Sequence, residues 1–185
     1  MLLRTYLPSP LGPMLAVASE AGLCGLEFDR PDRPTRLWRR LGHWRSAEAV
    51  AEGWAPVFDL ARRWLDQYFL SPASATVVVP MELLGSPFEQ DVWREIQAVP
   101  PGSTTTYGAI AANLGRLDAA RAVGAAVGAN PVSLLVPCHR VVGTSGSLTG
   151  YGGGLERKEW LLRHEKARGV AGDLFVPPFG ETPWS

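Results

Sequence analysis

Residues 106–129, TYGAIAANLGRLDAARAVGAAVGA, decide the architecture of the second half of this 185-residue chain. Thr106 stands where it can cap a short helix, expected over Tyr107 to Leu114. Gly115 ends that helix, and Asp118 can cap another over Ala119 to Ala129. Two short helices joined by a tight glycine-containing turn outline a helix-turn-helix. The second is built almost wholly of Ala, Gly and Val around one long cation, Arg121. Such a helix either packs closely against neighbours in a core or brings its backbone close to a groove wall while Arg121 reaches inward. The composition permits both.

On the N-terminal side, Ser86-Pro87-Phe88-Glu89 has the spacing of a capping box with proline at the first helical position, so a helix is expected from Pro87 to Ala98, stopped by Pro100-Pro101-Gly102. On the C-terminal side, Asn130-Pro131 leads into the apolar run Val132 to Val136, then Pro137-Cys138-His139-Arg140, Val141-Val142 and a glycine-dense loop from Gly143 to Gly154. A last amphipathic helix is expected from Leu155 to Arg168, with Arg163, His164, Lys166 and Arg168 in its final turns and Gly169 as its stop. The remainder is rich in Gly and Pro.

Before Ser86 the grammar differs. Leu2 to Tyr6, Met14 to Ala18 and Leu23 to Phe28 are short apolar runs split by SPLG and SEAG, which predicts an antiparallel meander. Helices are expected over Arg36 to Trp44 and Pro56 to Leu70. The β-branched run Thr76 to Val79, between Pro72 and Pro80, is expected to form a last strand and linker.

A hydrophobic fraction of 46% in 185 residues can fill a proper core. Net charge is zero, yet residues 100–168 hold eight Lys/Arg against four Asp/Glu, a local excess that suits contact with a polyanion as well as ordinary surface scatter. Two cysteines, Cys24 and Cys138, exclude a disulfide scaffold and a zinc-finger pattern. No stretch approaches the roughly 18 apolar residues of a membrane span, and the start has no continuous apolar leader segment, so a chain of the cytoplasm (or nucleus) is expected, where thiols stay reduced.

Cys138 followed by His139 is the one place where a nucleophile and a base sit together. The thiolate is the attacking species, so something must take the thiol proton. Adjacent side chains rarely face each other well, which makes a bridging water a reasonable expectation. Helix N-terminal amides near Pro137, with Arg140 beside them, would favour the anion, and Glu165 could orient the imidazole.

Asn130-Pro131, Pro137-Cys138-His139-Arg140-Val141, Gly150-Tyr151 with Gly153-Gly154, Lys158-Glu159-Trp160-Leu161-Leu162 and His164-Glu165, in this order and spacing, resemble the O6-alkylguanine-DNA alkyltransferases, with wording closest to the bacterial branch. The likeness runs without a gap from Ser86 to Glu165. It implies a mixed α/β (α+β) chain: a ribonuclease-H-like domain with an antiparallel sheet over 1–80, a winged helix-turn-helix-like domain carrying the active site over 81–169, and a tail over 170–185.

The resemblance also implies roles. Cys138 would accept the alkyl group, with His139 and Glu165 as a water-linked relay. Asn130 would be the hinge between recognition helix and active site. Arg121 would fill the gap left by a flipped guanine. Tyr107 would crowd the phosphate there and reach the base. Tyr151 would line the pocket, the Gly152 amide would face the guanine oxygen, and the carbonyls of Cys138 and Val141 would accept from the exocyclic amine. Ala119, Ala120, Ala122, Gly124 and Ala125 would lie along the minor groove. The implied partner is double-stranded DNA containing O6-alkylguanine, met by a monomer that could act cooperatively, with no cofactor, no metal and no membrane. Some relatives bind zinc through N-terminal Cys and His; here Cys24 has no N-terminal Cys companion and His43 is the only early His.

Three rival readings differ from this one. A lesion-recognition module would lack the acceptor cysteine. A thiol hydrolase needs a turnover step that a thioether does not offer. A transcription factor would carry Arg, Asn or Gln aimed at base edges, which AARAVGAAVGA scarcely does.

Overall fold

The computed structural model describes residues 1–30, 36–44 and 50–167, in two compact units, one from Met1 to Leu84 and one beginning at Gly85. In the first, β1 (Leu2–Leu7), β2 (Met14–Ser19) and β3 (Gly22–Phe28) form the expected antiparallel meander, with Leu3 opposite Ala18 and Met14 opposite Phe28. Every residue of β2 from Met14 to Ala18 is buried, so the sheet is covered on both faces. Helix α1 (Arg36–Trp44) packs Leu37 and Leu41 against Leu2, Leu15, Val17 and Cys24. Its approach needs a glycine in β3: a Cβ on Gly25 would meet Leu37 at 2.5 Å. Helix α2 (Pro56–Leu70) buries Val57, Phe58, Ala61, Leu65, Tyr68 and Phe69, and contacts β2 and β3.

Two details depart from the sequence reading. A fourth strand, β4 (Val50–Glu52), runs parallel to β1 at the sheet edge, Val50 opposite Leu2. Three residues, two of them exposed, give no alternating apolar signal. The strand expected over Thr76 to Val79 does not form. Thr76 gives its N–H to Gln67 Oε1 at 3.2 Å and Val78 is exposed. The chain reaches β3 only beyond that run, where Leu23 donates to the Pro80 carbonyl and Glu82 to the Leu23 carbonyl, both at 2.9 Å.

The second unit is mainly helical: α3 (Pro87–Gln97), α4 (Tyr107–Asn113), α5 (Ala120–Gly128) and α6 (Leu155–His164). Ser86 and Glu89 form the full capping box, a feature worth about 1 kcal/mol. Buried Trp93 of α3 donates its indole N–H to the Ala126 carbonyl of α5 at 2.9 Å. Thr106 caps α4 through the Ala109 N–H, and Gly115, at φ +68°, closes it in a Schellman turn in which Gly115 and Arg116 donate to the carbonyls of Ala112 and Ala111. Asp118, by contrast, does not cap α5. Leu117–Ala119 form one 3₁₀ turn, so Asp118 lies inside the first turn and α5 starts at Ala120 without a side-chain cap.

The last helix also stops early, at His164. Lys166 takes the left-handed conformation at φ +54°, and Lys166 and Ala167 donate to the carbonyls of Arg163 and Leu162, a Schellman turn without glycine. The sequence-based stop at Gly169, and the tail, lie outside the described residues. Two short parallel strands, β5 (Thr105–Thr106) and β6 (Val141–Val142), pair Thr105 with Val141 and Thr106 with Val142. This ladder matters for the site, because Tyr107 follows β5 directly and Cys138-His139-Arg140 directly precedes β6.

Candidate active site

After α5 the chain turns sharply toward the cysteine, and a buried amide holds the turn. Asn130 donates from Nδ2 to the Val136 carbonyl at 2.7 Å and accepts at Oδ1 from the Val132 N–H at 3.0 Å. Leu134, within the turn, is left-handed at φ +71°, a conformation that costs a branched residue about 1 kcal/mol or more. Replacing Asn130 by Ala strands the buried Val132 N–H and removes one of the two donors on Val136. The expected loss is about 2 kcal/mol of stability, read as a lower denaturant midpoint; a shift under about 0.5 kcal/mol would mean that Asn130 does not brace the turn.

Cys138, His139 and Arg140 form a single buried 3₁₀ turn. The expected helix N-terminus at Pro137 is therefore too short to present a row of open amides, and the Cys138 N–H already binds the Val136 carbonyl at 2.8 Å. Arg140 is placed on a carboxylate. Its Nε and Nη2 meet Glu165 Oε2 and Oε1 at 2.9 and 2.8 Å, and its Nη1 reaches the Val99 carbonyl at 2.5 Å. This bidentate pair fixes the plane of the Glu165 carboxylate.

The same carboxylate holds His139, whose Nε2 lies 2.9 Å from Glu165 Oε1. Both side chains are fully buried. Burial alone would raise the Glu165 pKa, but hydrogen bonds from His139 and Arg140 and their charges outweigh it and hold the carboxyl well below the usual carboxylate range. Burial lowers the His139 pKa more than Glu165 raises it. The imidazole is therefore neutral near pH 7. An ionised Glu165 can only accept, so His139 carries its proton on Nε2 and Nδ1 bears the lone pair that can take a proton.

Both shifts have the same sign for stability. Each group binds a proton more readily in the unfolded chain, so stability is fully present above about pH 6.5, the ordinary His value, and falls as pH drops toward the folded His139 pKa, then again below the ordinary Glu value of 4.5. The expected slope is up to about 1.4 kcal/mol per pH unit for each proton taken up only on unfolding. Unfolding free energies from denaturant titrations between pH 7 and 4 check this; a flat profile would contradict the buried relay.

Tyr151 lies edge-on to His139, ring centroids 6.4 Å apart. Burial, and next the Cys138 charge, raise its pKa well above the ordinary value, so it remains a neutral phenol. Its hydroxyl is buried without a hydrogen bond; Ser133 stands near it but outside bonding geometry. Gly152 is exposed, and a Cβ there would meet open space, so Ser or Ala at this position is compatible with the backbone.

Lys158, to which the sequence motifs assign no role, holds two segments of the site together. Lys158 is fully buried and donates from Nζ to the carbonyls of Val141 at 2.6 Å and Thr149 at 2.7 Å. Burial lowers its pKa to about 8, with the Cys138 charge opposing. A sequence signal existed: Lys158, Leu161, Leu162 and Glu165 follow the i, i+3, i+4, i+7 spacing of one buried stripe, with a charge at each end.

Arg121, Ala122 and Ala125 form an exposed stripe on α5, while Ala119, Ala120 and Gly124 are half-buried. The opposite face, Val123, Ala126 and Val127, is core. The inner face thus takes the packed reading that the composition allowed, and the outer face is open to solvent. Among the described residues no three His, Cys, Asp or Glu cluster as metal ligands, and no helix is long and apolar enough to cross a membrane.

A helix-turn-helix unit with a small-residue outer face, holding a buried cysteine next to a neutral histidine aligned by a carboxylate, defines a class: thiol group-acceptors built on a DNA-binding scaffold. Comparison with known proteins makes the assignment specific. The DNA-binding domain model of 6-O-methylguanine DNA methyltransferase matches residues 87–167, and the ribonuclease-like domain model of the same family matches residues 2–81. The methylated-DNA–protein-cysteine methyltransferase of Salmonella typhimurium is 42% identical over 170 residues, 89% of this chain and 95% of that one. That of Mycobacterium tuberculosis is 39% identical over 164 residues, 88% and 92%. The crystal structure of Mycobacterium tuberculosis OGT in complex with DNA covers 92% of this chain and 95% of its own at 37% identity, with a TM-score of 0.70. The chain belongs to the 6-O-methylguanine DNA methyltransferase family.

Proposed function

We propose that this chain repairs DNA by direct reversal, moving the alkyl group from guanine O6 to Cys138 Sγ once and irreversibly. The observation that carries the reading is the buried Glu165–His139 pair, in the same turn as Cys138, which leaves a basic nitrogen on a neutral imidazole. The Cys138 proton passes to His139 Nδ1, through a water where the two do not touch. The thiolate attacks the alkyl carbon; the S–C bond forms as the C–O bond breaks, and its electron pair goes to the purine oxygen. The purine regains a proton and leaves as guanine, so thiol and alkylguanine become thioether and guanine with nothing else consumed. A thioether offers no route back.

The lesion lies inside a duplex, so the nucleotide must be extruded at a cost of a few kcal/mol. In this reading the exposed face of α5 enters the minor groove with Ala119, Ala120, Ala122, Gly124 and Ala125 along it, and Arg121 fills the vacated stack. Tyr107 meets the phosphate and base, Tyr151 lines the pocket with a hydroxyl ready for an acceptor, and the Gly152 amide faces the oxygen that gains charge. The Val141 carbonyl binds Lys158 through one lone pair and keeps the other for the exocyclic amine. The protein acts as a monomer, needs no cofactor or metal, and works where thiols stay reduced, as in the cytoplasm.

Mass spectrometry of the intact chain after incubation with a duplex containing O6-methylguanine tests this. One methyl per chain, and none from an unmodified duplex, is the expected result. Tight lesion binding with unchanged mass would point to a recognition module, and methanol released over many cycles to a hydrolase.

A further inference from the structure

Tyr107 occupies the first position of α4, and its ring lies beside α5: a Cβ on Gly124 would sit 3.7 and 3.8 Å from ring carbons Cδ1 and Cε1. The phenol oxygen is 2.9 Å from Thr149 Oγ1, where either hydroxyl can donate. Thr149 is itself held, because its carbonyl accepts from buried Lys158 Nζ. The second acceptor of Lys158 is Val141 of β6, and β6 pairs with β5, the strand that runs directly into Tyr107. The contacts close a circuit: Tyr107, Thr149, Lys158, Val141, β5 and back to Tyr107. A tyrosine ring packed against a helix can still pivot slightly about χ1 and turn its hydroxyl hydrogen about Cζ–Oη; the bond to Thr149 restrains both. Thr149 also stands two residues before Tyr151, so the same loop that supplies the pocket wall supplies the anchor.

We infer that Thr149 is a positioning residue, whose hydroxyl presets the Tyr107 phenol at the pocket edge before a nucleotide arrives. The inference rests on the repair reading, in which Tyr107 meets the extruded nucleotide, and adds a residue that acts only through it. Ordering this phenol in advance removes part of the entropy lost when the nucleotide is bound in reactive geometry.

A double-mutant cycle tests it. The second-order rate of methyl uptake from a duplex containing O6-methylguanine is measured for the parent, Thr149→Val, Thr149→Ser, Tyr107→Phe, and Thr149→Val combined with Tyr107→Phe. Thr149→Val keeps the shape and removes the hydroxyl, and should slow transfer about tenfold. Thr149→Ser keeps a hydroxyl and should recover most of that rate. The combined variant should be no slower than Tyr107→Phe alone, since the hydroxyl then has nothing to position. A Thr149→Val rate within about twofold of the parent, or a combined loss equal to the product of the two single losses, overturns the inference; the second result is also what a merely loosened loop would give. A parent chain that never takes up methyl defeats the repair reading itself, and this inference with it.

Discussion

Cys138→Ala should take up no methyl from a duplex containing O6-methylguanine, under conditions where the parent chain is converted to completion. The effect is expected to be all or none because the acceptor atom itself is gone. The only other cysteine, Cys24, is buried in the sheet core of the first unit, where its thiol donates to the Val17 carbonyl at 3.5 Å. Cys138→Ser should fail almost as completely, since a hydroxyl is far harder to ionise than a thiol and is a poorer nucleophile toward saturated carbon. Binding should survive both changes. Cys138 is only 7% exposed, so its loss removes a small buried group and leaves the outer face of α5 untouched. The Ala variant should therefore still hold the lesion-containing duplex and, being unable to react, should keep holding it. Gel shift and intact mass measured together check the two halves of this statement. Methyl uptake by Cys138→Ala would move the acceptor elsewhere and remove the central claim.

Local physics made much of this architecture readable in advance. The proline at the start of α2, the Ser86 and Glu89 box of α3 and the Gly115 stop of α4 are interactions between residues at most a few positions apart, so their signals sit in the string itself. Apart from the cap expected at Asp118, the misreadings have the opposite character. β4 exists because β1 offers it an edge, and the run at Thr76 stays out of the sheet because residues 80–82 meet β3 instead. Lys166 adopts a conformation that glycine would take more easily, one residue after Glu165 is held by two partners 25 and 26 positions away. The site divides in the same way. Cys138 and His139 are adjacent and visible as a pair, whereas the placement of Arg140 on Glu165 and of Lys158 on two carbonyls depends on elements distant in sequence. Family likeness implied a hinge role for Asn130 and a stack-filling role for Arg121 that spacing alone could not.

Glu165→Gln should be the most damaging substitution that leaves the acceptor in place, and it should act in two separable ways. The first is stability. Arg140 is 5% exposed and its guanidinium is forked onto both carboxylate oxygens. A neutral amide leaves that buried cation without a counter-charge, at a cost of about 3 kcal/mol. The second is the proton path. A carboxylate accepts the Nε2 proton of His139, whereas the amide nitrogen of glutamine can turn to donate there. The imidazole then carries its proton on Nδ1, and the atom that should receive the thiol proton has lost its lone pair. A base in the wrong tautomer costs about 10² to 10⁴ in rate in comparable relays. The pH profile distinguishes this from simple loosening. The parent should transfer methyl well at neutral pH, while the variant should quicken as pH rises toward the ordinary thiol range near 8.5, where Cys138 ionises without help. A Glu165→Gln chain with the parental profile and a uniformly lower rate would mean that the carboxylate only holds the fold. The thiolate would then have to be stabilised by another charge, and buried Lys158, which the Cys138 charge already favours keeping protonated, would be the group to test next.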